Sequence, residues 1–172
     1  MKTIDESLEQ LIRIAIDCIH EGNCDQGKRL LESGLYDEPG YAKLHSTLAW
    51  MYQYFQENVE MAIRHYELAI YFDREYEYAY TNLAFLYFNE KRYDEATDVL
   101  VRALATESVD KSFVHEKLGT IAEKRGNYHD ALTHYRRALL VCLDNEEITE
   151  LKQNIKRTRF KRFKKRIGKW QQ

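Results

Sequence analysis

Residues 83–104, LAFLYFNEKRYDEATDVLVRAL, and residues 118–139, LGTIAEKRGNYHDALTHYRRAL, are two copies of one pattern set 35 residues apart. An earlier copy, LAWMYQYFQENVEMAIRHYELAI, starts at Leu48, again 35 residues away, with one extra residue in its turn. A looser fourth, IAIDCIHEGNCDQGKRLLESG, starts at Ile14, and its GNCDQG matches the later GNYHDA. A period of this length is the signature of stacked supersecondary units, each unable to bury its apolar face alone.

Small residues fix the register. Ala15, Ala49, Ala84 and Gly119 fall on the first helix of each unit. Gly27, Ala62, Ala96 and Ala131 fall on the second, followed seven residues later by Gly34, Ala69, Ala103 and Ala138. Small side chains let helix backbones approach closely while large neighbours fill the adjoining grooves. One Pro and seven Gly in 172 residues leave few breakers, which favours helices throughout.

The pattern resembles the tetratricopeptide repeat family. Tyr80, Leu83, Ala84, Tyr87, Ala96, Leu100 and Ala103 follow its consensus, as do His45, Leu48, Ala49, Tyr52, Ala62, Tyr66 and Ala69. In the last unit His115, Leu118, Gly119, Ala131, Tyr135 and Ala138 match, with Ala122 where Tyr is usual. The first unit is degenerate, with Cys18 at the Tyr place, but Pro39, the one proline, sits at that unit's closing position. The resemblance covers roughly residues 8 to 143 and implies an all-α fold, a right-handed superhelix of antiparallel helix pairs. The expected units are about 8–41, 42–76, 77–111 and 112–144, followed over 145–172 by a capping helix that runs on into a basic amphipathic tail. First helices are expected over about 4–21, 40–55, 76–89 and 110–125, and second helices over about 24–34, 59–72, 93–106 and 128–142. Thr3 with Glu6 reads as a capping box, Asp110 and Asp144 as helix caps, and Gly22-Asn23 and Gly126-Asn127 as left-handed helix ends.

The residues argue against catalysis. The six His form no HExxH and no zinc-finger spacing with Cys, and there is no Walker loop, GxSxG or GxGxxG. His45 and His115 hold repeat-equivalent packing places. The expectation is a non-enzyme with no cofactor and no metal. Cys18, Cys24 and Cys142 make no framework, and the start MKTIDESLEQ is polar and acidic. Both point to reduced thiols in a cytoplasmic protein. No apolar run approaches the roughly 20 residues of a membrane span.

A non-catalytic module of this family binds a peptide or protein segment in its concave groove. The resemblance places Ile12, Ile16, Ile19 and His20 there, with Lys43, Ser46, Trp50, Gln53 and Tyr54 from the second unit. The third unit supplies Tyr78, Thr81, Phe85, Phe88 and Asn89, and the fourth Phe113, Glu116, Thr120, Glu123 and Lys124. Trp50, Tyr54, Tyr78, Phe85, Phe88 and Phe113 then form an apolar trough bordered by acids, suited to apolar anchors with basic flanks. Some of these aromatics pack between repeats instead, and Trp50 and Tyr54 are the stronger candidates for exposure. One family subclass clamps C-terminal carboxylates with Lys, Asn, Asn, Lys and Arg. The matching places here hold Ser46, Trp50, Asn82, Phe113 and Lys117, so only Asn82 fits fully and Lys117 in part, which argues against that specificity.

Charge is polarised along the chain. From Lys152 onward there are ten Lys or Arg and no Asp or Glu, while the rest carries 16 basic and 28 acidic residues. Ile148, Leu151 and Ile155 lie on one side of the last helix and serve as the cap. Phe160, Phe163, Ile167 and Trp170 follow on a stripe rotated by roughly 100°, so a straight helix cannot bury both. The second half is therefore expected to project, bend back or meet something else. With Arg159, Arg162 and Arg166 these residues form a contact surface for which three partners compete. It docks on an acidic protein surface, its own or another copy's, or it binds an anionic membrane, or it binds nucleic acid.

Overall fold

The computed structural model describes residues 4–168. Thr3 and its capping box lie outside the described residues, as does Trp170. Among the described residues there are nine helices and no strand: α1 Ile4–His20, α2 Cys24–Asp37, α3 Ala42–Tyr54, α4 Val59–Phe72, α5 Glu77–Asn89, α6 Tyr93–Ala103, α7 Lys111–Lys124, α8 Tyr128–Val141 and α9 Asn145–Gly168. These follow the expected segments closely. The chain forms two compact bodies, one ending at Glu90 and one starting at Lys91.

In the first body α1 pairs with α2, α3 with α4, and α5 packs on α4. Its core is built on the periodic small residues: Ala15, Ala49, Ala62, Ala69 and Ala79 have no exposed surface, and Leu31, Leu44, Met51 and Tyr66 fill the space beside them. The Tyr66 hydroxyl donates to Gln53 Oε1 at 3.2 Å, which satisfies a phenol buried in apolar surroundings. In the second body α6 packs on α7, α7 pairs with α8, and α9 lies against α8. Ala131, Leu132, Tyr135 and Ala138 of α8 meet Leu151 and Ile155 of α9, so the expected capping stripe covers the last pair.

The turns before α2, α4, α6 and α8 repeat as faithfully as the helices. Gly22, Glu57, Lys91 and Gly126 all have positive φ, at +87°, +49°, +60° and +72°. Each is followed by the N-cap of the next helix: Asn23, Asn58, Arg92 and Asn127. Asn58 accepts a hydrogen bond from Met61 N–H at 3.1 Å and Asn127 from Asp130 N–H at 3.4 Å. Asp110 and Asp144 cap as expected, accepting from the backbone amides of Ser112 and of Glu146 and Glu147. Glu57 and Lys91 carry a Cβ in the left-handed region, where glycine has none to strain. Lys91→Gly is therefore expected to raise stability by about 0.5–1 kcal/mol, read as a higher melting temperature in calorimetry.

The two expected packing histidines, His45 and His115, each meet a second histidine. His45 Nδ1 lies 3.2 Å from His65 Nδ1, and His115 Nδ1 lies 3.3 Å from His134 Nδ1, on the equivalent helix pair. His45 Nε2 also contacts the Pro39 carbonyl at 3.0 Å. A carbonyl only accepts, so Nε2 carries the hydrogen. The neutral ring then offers Nδ1 as an acceptor, and His65 Nδ1–H is the donor. Burial holds all four imidazoles below the ordinary histidine range, with His65 at about 4. His45 stacks on Phe72 and His65 on Tyr52. These histidines are packing elements, in keeping with their repeat-equivalent positions.

Candidate functional site

The faces left uncovered follow the repeat. On α3, Lys43, Thr47, Trp50 and Tyr54 stand at helical spacing on one side, and on α5, Tyr78, Asn82, Phe85 and Asn89 do the same 35 residues later. In the first body Trp50, Tyr78 and Asn82 come together with Ile16, Lys43 and Tyr76 around a cleft of about 350 Å³. Its lining is mainly aromatic and aliphatic, with the hydroxyls of Ser46 and Thr47, one amide and one ammonium. Lys43 Nζ is held by Glu9 Oε2 at 2.5 Å, and the Tyr41 hydroxyl donates to Glu9 Oε1 at 3.1 Å. The Lys43 hydrogen bond lowers the Glu9 pKa, so that carboxylate stays ionised around neutrality.

Tyr78, Tyr54 and Phe85 are exposed, at 66%, 53% and 48%. Trp50 is half-buried, because His20 and Phe55 pack on its ring with centroids at 5.4 and 4.9 Å. Phe88 is half-buried and Asn89 exposed on α5. In the second body Phe113 and Lys117 line a separate cleft of about 210 Å³ with Glu116, Glu147 and Glu150. Lys117 pairs with Glu116 at 2.8 Å and lies 5.0 Å above the Phe113 ring.

Four residues assigned to the groove from the resemblance are buried. Ile12 and Ile19 belong to the α1–α2 core, Ile19 lying directly over Gly27. Ser46 and its neighbour Thr47 are 6% and 8% exposed, yet both line the cleft beside Trp50. Glu123 is 7% exposed and ion-paired with α9. Tyr76, absent from the groove positions that the resemblance implies, stands at the N-cap of α5 as Tyr41 does at the N-cap of α3.

α9 is continuous to Gly168, and its basic half is held on its own body through charge. The Arg157 guanidinium grips Glu123 with both Nε and Nη2, at 3.0 and 2.7 Å, and Lys161 Nζ adds a contact at 2.9 Å. The buried Tyr135 hydroxyl donates to the same carboxylate at 2.8 Å. Burial pushes the Glu123 pKa up, but these donors outweigh it and hold it at about 2. One turn further, Lys165 Nζ donates to the Gly126 carbonyl at 2.9 Å and lies over the Tyr128 ring. Phe160, Phe163 and Ile167 are exposed on another side, together with Arg159, Arg162 and Arg166.

No described helix is long and apolar enough to cross a membrane, and no three described His, Cys, Asp or Glu side chains form a metal-holding group. The arrangement offers binding surfaces.

Comparison with known proteins gives the same frame. Two tetratricopeptide repeat family models match residues 78–107 and 114–149. A curated relative, the type IV pilus assembly protein PilF of Pseudomonas aeruginosa, is 26% identical over 136 residues, 78% of this chain. The chain spans 54% of that relative's length. Among solved structures, P. aeruginosa PilF superposes with a TM-score of 0.72 at 23% identity, covering 95% of this chain and 72% of its own. MamA protein gives 0.71 at 19%, covering 92% and 84%, and BtubC from P. vanneervenii 0.74 at 18%, covering 92% and 74%. At these identities the structures establish a shared helical solenoid fold. The two family matches show tetratricopeptide repeats over residues 78–107 and 114–149, in the register read from the sequence, and such repeats support a protein–protein interaction module.

Proposed function

We propose that the chain is a non-catalytic adaptor that holds an extended segment of a partner protein against the uncovered faces of α3 and α5. The observation that carries this reading is the cleft where Trp50, Tyr78 and Asn82 converge. An apolar side chain of the segment sits between the Trp50 and Tyr78 rings, and the Asn82 amide offers both a donor and an acceptor to its main chain. Phe85 and Asn89 extend the same stripe along α5, with Tyr54 and Phe88 beside it. The separate cleft at Phe113 and Lys117 has three carboxylates to one ammonium, which suits a basic side chain. An assembly role in the curated relative is in keeping with an adaptor. Three free thiols suit a reducing compartment.

The test is a random-peptide display library panned on the full chain, followed by affinity measurements on the selected peptides. Tyr78→Ala and Asn82→Ala are expected to weaken binding by about tenfold each, with the melting temperature unchanged for Tyr78→Ala, whose side chain is exposed, and little changed for the half-buried Asn82. Unchanged affinity in both variants would overturn the assignment.

A further inference from the structure

The exposed side of α9 combines two features that rarely coincide. Phe160, Phe163 and Ile167 lie at i, i+3 and i+7, which places them in one stripe, and they are 58%, 59% and 43% exposed. Every charged side chain of the described α9 from Lys152 onward is basic. The stripe is therefore bordered by Lys156, Arg159, Lys164 and Arg166, with Lys164 lying over the Phe160 ring. Beside it, two clefts lie along this helix. One, of about 450 Å³, takes Arg136 and Leu139 from α8 and Lys152, Lys156 and Arg159 from α9. The other, of about 200 Å³, takes Tyr128 and His129 from α8 and Arg162, Lys165 and Arg166 from α9. Neither is lined by a carboxylate.

We propose that this face of α9 is a membrane-surface site that lies on a bilayer containing anionic phospholipid. The three apolar side chains enter the boundary between headgroups and acyl chains, the basic border meets the lipid phosphates, and the two clefts receive individual headgroups. Charge complementarity selects an anionic partner, and the apolar stripe selects a bilayer among anionic partners. A nucleic acid would satisfy the Lys and Arg but would give the aliphatic Ile167 nothing to stack on. The Arg157, Lys161 and Lys165 contacts matter here as well: they keep the helix formed and its free side turned outward before any lipid arrives. This site is independent of the peptide cleft at Trp50 and Tyr78.

The full chain is mixed with phosphatidylcholine vesicles, with and without a one-third share of phosphatidylglycerol, and separated by flotation. Binding to the anionic vesicles is expected to exceed binding to neutral ones by about tenfold or more, and to fall as salt is raised. The double variant Phe160→Ser, Phe163→Ser is expected to lose about tenfold while keeping its helical circular dichroism, since both rings are at the surface. Lys156→Gln with Arg159→Gln, which removes charge and leaves the stripe, is expected to lose binding to anionic vesicles only. Absence of vesicle binding, equal binding to both vesicles, or full binding by the double serine variant would overturn the proposal. So would tighter binding to a single-stranded oligonucleotide than to vesicles. A size increase with concentration that the serine variant abolishes, without vesicle binding, would assign the face to a second copy of the chain instead.

Discussion

Glu123→Ala is expected to lower unfolding stability by about 2–4 kcal/mol and to release the second half of α9. The carboxylate is 5% exposed by side chain and serves three donors, whereas Arg157 and Lys161 are about half exposed and return partly to water when it is lost. Part of the cost falls on the buried Tyr135 hydroxyl, which loses its 2.8 Å acceptor and keeps only Thr120 Oγ1 at 3.3 Å. Glu123→Gln keeps an acceptor for Tyr135 and forfeits the charge, so its cost is expected to be smaller. Urea titration measures the difference, and amide exchange in residues beyond Thr158 shows whether the helix end has opened. A loss below about 0.5 kcal/mol would place this ion pair among ordinary surface pairs.

The same carboxylate sets an acid response. Its pKa stands at about 2 in the folded protein against 4.5 for a free glutamate, so the unfolded chain binds the proton more readily. A depressed pKa stabilises fully above the unfolded value and is lost as pH falls towards the folded one. The contribution is therefore present at neutrality and declines from about pH 4.5 to about pH 2. In Glu123→Gln the decline over that window is expected to be shallower than in the natural chain, as measured by melting temperature against pH.

Gly27→Ala is expected to destabilise by about 2 kcal/mol, although Ala is what the other three units carry at this place. Helix propensity alone predicts a gain of up to about 1 kcal/mol. The added Cβ, however, would sit 2.5 Å from Ile19 Cγ1 and 2.8 Å from the Ala15 carbonyl oxygen. The first of these is near the root of a buried side chain and the second is backbone, so neither yields without separating α1 from α2. Chemical denaturation decides the sign. A stabilised variant would show that the two helices can move apart without loss.

This position also shows why the first unit looks irregular in sequence. Its two glycines at alanine places stand where an added Cβ would crowd a neighbouring helix, α1 at Gly27 and, 3.0 Å from Leu44 Cδ1, α3 at Gly34. The left-handed turns were half legible. Gly22 and Gly126 announce them, but Glu57 and Lys91 adopt the same conformation, and only their place in the repeat gives them away. The candidate cleft was legible for a comparable reason. Trp50, Tyr78 and Asn82 stand at repeat positions on one face of their helices, while Tyr76, the repeat equivalent of Tyr41, holds the N-cap just before its helix.

The sequence by itself determined the helices, the Asp110 and Asp144 caps and the small-residue contacts. All of these depend on spacings within about one repeat, where side-chain size and helical period leave one arrangement. It also fixed that the two apolar stripes of the last helix cannot share a surface. Only the tertiary structure decided what the basic half does. Whether Arg157, Lys161 and Lys165 find partners depends on Glu123, Tyr128 and the Gly126 carbonyl, which are 34 to 39 residues away along the chain and brought within reach by the packing of α8 against α9. A count of charges gives the balance of the tail. Which three charges are held by the body, and which side of the helix is thereby left to face outward, is set by that packing.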